Sequence, residues 1–78
     1  MNKLEEKLIE LGYEKNKYLS SMYTKDSRVV SNVTIVLQLN QYGIVDKSIS
    51  INSNIRQEKE IDLLYAVFKE LQRDLNEI

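Results

Sequence analysis

The chain contains no cysteine, no histidine, no proline and no tryptophan, and only two glycines in 78 residues. Without cysteine there is no disulfide, no thiol nucleophile and no thiolate metal ligand. Without histidine there is no imidazole base. A secreted domain of this length usually carries disulfide staples, so the expected compartment is the cytoplasm. Gly12 and Gly43 stand too far apart for either phosphate-binding glycine motif. No run approaches the roughly 18 apolar residues of a membrane span, and no membrane partner is expected. The opening Met1-Asn2-Lys3-Leu4-Glu5-Glu6-Lys7 brings in acids where a signal peptide is apolar.

Charge of one sign is also lacking. Eleven basic and twelve acidic residues leave a formal charge of -1, so no global field draws polyanions, although a local basic patch remains open. Residues 1–25 are slightly basic, 26–53 neutral and 54–78 acidic. The abundance of Asn, Ile, Lys and Tyr follows the codon bias of AT-rich genomes. A small accessory protein of a phage or other mobile element fits that bias and the size.

What is present is periodicity, enough for one small domain over residues 1–78 with one core. Leu4, Leu8 and Leu11 recur at helical spacing and stop at Gly12, with Asn2 as a candidate cap. Tyr18 to Thr24 reads as a first strand and Lys25-Asp26-Ser27-Arg28 as a turn. Val29 to Leu39 is the clearest strand: Val33, Ile35, Leu37 and Leu39 share one face, Thr34, Val36, Gln38 and Asn40 the other. After a turn through Gly43, Ile44 to Asn52 alternates Val45, Lys47, Ile49 and Ile51 against Asp46, Ser48, Ser50 and Asn52. Ser53 or Asn54 can then cap a long helix, in which Ile61, Leu64, Tyr65, Phe68, Leu71, Leu75 and Ile78 form an apolar stripe widened by Leu63 and Val67. The expected fold is α+β, in the order α-β-β-β-α: a three-stranded antiparallel meander with both helices on one face.

That order resembles the double-stranded RNA-binding domain, in which lysines at the start of the second helix meet phosphates. At the matching place this chain reads Ser53-Asn54-Ile55-Arg56-Gln57-Glu58-Lys59-Glu60. The resemblance would give the phosphate role to Arg56 and Lys59, with Glu58 and Glu60 opposing it. The family's glycine-proline loop has no counterpart. The likeness is one of topology, and fold alone does not carry function.

Candidate chemistry is sparse. Glu58 with Asp62, and Glu70 with Asp74, stand four apart on a helix and read as solvated charge rather than as a hard-cation site. No cofactor, metal or catalytic residue is expected, and the chain reads as a non-catalytic adaptor or inhibitor. Its expected partner is another protein or a second copy of itself. The candidate interface residues are Thr34, Gln38, Asn40, Ser48 and Ser50 on the polar sheet face, and Leu63, Val67 and Ile78 at the margins of the helix stripe. The tyrosines admit three readings: packing at the rim of the core, a protein interface, or base stacking. In the last case Lys15, Lys17, Tyr18, Tyr23, Lys25 and Arg28 would form a nucleic-acid surface, the alternative to the protein-binding reading.

Overall fold

A computed structural model describes residues 3–19, 21–51 and 57–78, with side-chain surroundings in the last helix given from residue 62 onward. The element order is α1 (Lys3–Glu10), β1 (Glu14–Lys15), β2 (Met22–Asp26), β3 (Val33–Asn40), β4 (Gly43–Ile51) and α2 (Gln57–Glu77). The strands form one antiparallel sheet in sequential order. The class is therefore α+β as expected, but with four strands rather than three. The expected caps Asn2, Ser53 and Asn54, and Arg56 of the phosphate-contact stretch, lie outside the described residues.

Helix α1 ends as its sequence requires. Tyr13 N–H bonds the Leu8 carbonyl at 2.9 Å and Gly12 N–H bonds that of Ile9 at 3.0 Å. This is the paired pattern of a Schellman ending, in which the residue after the cap is left-handed. Gly12 holds that place at φ +100°. Leu8 and Tyr13, the two residues that the motif brings into contact, are both buried in the core.

The strand expected at Tyr18 to Thr24 begins later, at Met22, and runs on through Lys25 and Asp26. Asn16 explains the delay: its side-chain oxygen accepts from the N–H groups of Tyr18 (2.7 Å) and Leu19 (2.9 Å) and holds them in a turn. Strand β1 was missed because two residues carry no alternation to read. Likewise β3 begins at Val33 rather than Val29. Ser27 Oγ accepts from the N–H groups of Val29 (3.2 Å) and Val30 (3.1 Å), and Asn32 takes a left-handed φ of 62° before the strand starts.

From Val33 onward the alternation is as expected, with Val33, Ile35, Leu37 and Leu39 buried. Strand β4 departs from it. Leu39 pairs with Ile44 but Gln38 pairs with Asp46, so Val45 is the extra residue of a bulge. Ile44 packs against the core, and Val45, expected on the apolar face, is 55% exposed.

The core joins Leu8 of α1, Tyr13, Tyr23 of β2, the four inward residues of β3, and Val67 and Leu71 of α2. Each fully buried aliphatic side chain in it contributes roughly 1.5–3 kcal/mol. On the other sheet face, Thr24, Val36 and Ser48 stand in one cross-strand row and Asp26, Thr34 and Ser50 in another. No described helix supplies a core residue to that face. None of the described helices is long and apolar enough to cross a membrane.

Candidate interaction surface

Two regions depart from an ordinary small core: a buried ionic cluster on one flank of α2 and an apolar groove on the other.

The cluster is centred on Lys25, which points inward from β2 and is 5% exposed. Its ammonium meets Glu70 Oε2 at 3.1 Å and is ion-paired with Asp74, both on α2. It also lies 4.9 Å from the centre of the Tyr13 ring. Tyr13 donates its hydroxyl to Asp74 Oδ2 at 3.0 Å, and Ser27 donates to Glu70 Oε1 at 2.7 Å. The Arg28 backbone N–H reaches Glu70 Oε2 at 3.0 Å. Every buried side-chain polar atom among the described residues has a partner, so the charges are compensated as buried charges must be. Burial alone would push the Glu70 carboxyl up; the Ser27 hydroxyl, the Arg28 N–H and the Lys25 ammonium outweigh it and hold the group below its ordinary value. Burial first, and then the Asp74 charge and hydrogen bond, push the Tyr13 phenol well up.

These contacts correct the reading of Glu70 and Asp74 as solvated charge. They sit on the inward face of α2 with Val67 and Leu71, and the helix is turned accordingly. The consequence appears on its other flank. Tyr65 and Phe68, expected in the core stripe, are 62% and 56% exposed. Phe68, Leu71, Gln72 and Leu75 of α2 and Lys47, Ser48 and Ile49 of β4 line a groove of about 310 Å³. Strand β4 is the last of the described strands, bonded to β3. The groove thus runs beside a strand whose outer edge pairs with no described strand.

The expected interface residues are scattered by comparison. Thr34, Gln38, Ser48 and Ser50 do share the outward sheet face, across the registers Thr34 to Ser50, Val36 to Ser48 and Gln38 to Asp46. Asn40 lies at the strand end, where its side chain accepts from Tyr42 N–H at 2.7 Å. Leu63 is half-buried, and Ile78 is exposed beside Lys3, Leu4 and Lys7. Val67 is fully buried, so it packs the core and is no contact residue. Of the alternative set, Lys15, Lys17 and Tyr18 are exposed around the β1–β2 loop, whereas Tyr23 and Lys25 are buried. Arg28 follows the opposite end of β2, its guanidinium donating to the Leu11 carbonyl at 2.9 Å. The six do not form one surface.

Family models, curated proteins and solved structures yield no match. The groove residues Phe68 and Ile49, and Tyr65 beside them, were absent from the expected interface because periodicity assigned them to the core. A stripe of nine apolar positions on one helix, against strands this few, was the available sign that some would remain outside.

Proposed function

We propose that this domain is a non-catalytic binding module, an adaptor or inhibitor that docks a protein along the groove between β4 and α2. The observation that supports this reading is the exposure of Phe68 and Tyr65, one helical turn apart, beside an apolar cleft and an edge strand. Exposed aromatics flanking an apolar cleft are the usual anchors of protein interfaces. An edge strand adds main-chain hydrogen bonds to whatever extended segment lies along it. The polar sheet face with Thr34, Gln38, Ser48 and Ser50 borders the same edge and would form its wetter rim.

The test is capture from host lysate with tagged wild type and with Phe68→Ser, each with and without nuclease. A stoichiometric protein that survives nuclease and is lost with Phe68→Ser is expected. Recovery of nucleic acid instead, falling steeply as salt rises, would overturn the reading in favour of the Lys15, Lys17 and Tyr18 loop.

A further inference from the structure

Resting on the groove as a docking surface, we infer that its occupant is a second copy of this chain, joined antiparallel through β4 about a two-fold axis at Ile49.

Three observations lead there. The first is area. The chain exposes 5885 Å², whereas a compact monomer of 9.2 kDa exposes roughly 4,900 Å². The surplus of about 1,000 Å², counted over the whole chain, leaves room for the roughly 800 Å² that one partner gives up in a standard interface.

The second is the edge itself. Edge strands guard against pairing with charge, proline or a bulge. Strand β4 has such guards in its first half only: the bulge at Val45, then Asp46 and Lys47. Its second half, Ser48-Ile49-Ser50-Ile51, carries none.

The third is register. In an antiparallel self-pairing, residues facing each other share a sheet face. An axis at Asp46 or Lys47 sets like charges opposite one another, and an axis at Ser48 makes the two Lys47 diagonal neighbours. An axis at Ser50 carries most pairs past the end of β4. At Ile49 the ladder spans residues 47–51, wholly within β4, and holds one guard, Lys47, at each of its two ends. Ile49 then faces its own copy and extends the inward row begun by its pairing with Ile35. Lys47 faces the copy's Ile51, and Ser48 faces the copy's Ser50. Because Ile49 lines the groove with Phe68 and Leu75, the same axis sets the two grooves against each other. Two four-stranded sheets become one continuous sheet with both polar faces on the same side.

The register gives a specific test, since Ser48 and Ser50 are both exposed and point away from the core. Sedimentation equilibrium of the full chain from micromolar to millimolar loading should show twice the monomer mass at the upper end. Ser48→Lys with Ser50→Lys sets lysines opposite each other twice and should weaken the dimer about tenfold. Ser48→Glu with Ser50→Lys sets opposite charges across the same two places and should restore it. Circular dichroism and heteronuclear NMR confirm that each variant is folded. A monomer at every concentration overturns the inference, as does a double-lysine variant that associates as wild type does, or a Glu/Lys variant as weak as the double lysine. If wild type is monomeric yet still captures a protein through Phe68, self-association falls and the groove reading stands. If the variants behave as expected but no other protein is captured, the groove serves this chain alone.

Discussion

Among single residues, Lys25 decides most about this fold. It reaches from β2 to two carboxylates on α2 and lies beside the Tyr13 ring, so strand, helix and the segment after α1 meet at one ammonium. Lys25→Met removes the cation and leaves Glu70 and Asp74 buried as unpaired acids. The expected loss is about 3–5 kcal/mol, a large share of the roughly 5–15 kcal/mol that holds a small domain together. Adding Glu70→Gln and Asp74→Asn should recover much of it, because the amides remain acceptors for Ser27, Arg28 N–H and Tyr13 without charge. Urea titration of the single and triple variants measures the difference; a single variant as stable as wild type would show that the cluster contributes little. The same cluster sets an acid limit. Glu70 is held below its ordinary value of 4.5, so the native state binds fewer protons than the unfolded chain across that interval. Its stabilisation is complete above about pH 5 and is lost as pH falls through the depressed value. Stability against pH should therefore slope less steeply below about pH 4.5 in Glu70→Gln than in wild type.

Between residues and elements, the informative departures from periodicity each have a local cause. Strand β3 was legible because Val33, Ile35, Leu37 and Leu39 alternate over its whole length. The end of α1 was legible because Gly12 takes the left-handed conformation that a β-carbon would oppose. Strand β1 was not legible, since Glu14 and Lys15 are both exposed and its pairing rests on backbone alone. The facing of α2 was hidden for a different reason: two of its inward residues are acids, and a hydrophobic pattern counts acids as outward. Hence Tyr65 and Phe68, both largely exposed, were assigned to the interior. The bulge in β4 hid itself similarly by exchanging the roles of Ile44 and Val45. That exchange can be measured. Ile44→Ala should cost about 1–2 kcal/mol, because its side chain packs on the core, whereas Val45→Ala should stay within about 0.5 kcal/mol. A larger cost at Val45 than at Ile44 would mean that the strand runs in plain alternation, with Val45 turned to the core.

For the whole molecule, the same groove residues that would bind also limit what the monomer can bury. A chain of this size has few apolar side chains to spare, yet it leaves Tyr65, Phe68 and Val45 largely in water. If β4 and the groove close on a second copy, folding and association become one equilibrium, and apparent stability depends on concentration. Each tenfold rise in concentration above the dissociation constant should then add roughly 0.7 kcal/mol per chain, half of the usual tenfold increment because two chains share one association. For a domain of this length that is a rise in melting temperature of about 3–5 °C per tenfold. Differential scanning calorimetry over two decades of concentration should find this slope in wild type. It should vanish for Ser48→Lys with Ser50→Lys over the range where that variant is monomeric. A wild-type melting temperature independent of concentration would mean that β4 and the groove do not close on a second copy, and that Tyr65 and Phe68 stay in water in a fold whose core is closed by the β3 row and the Lys25 cluster.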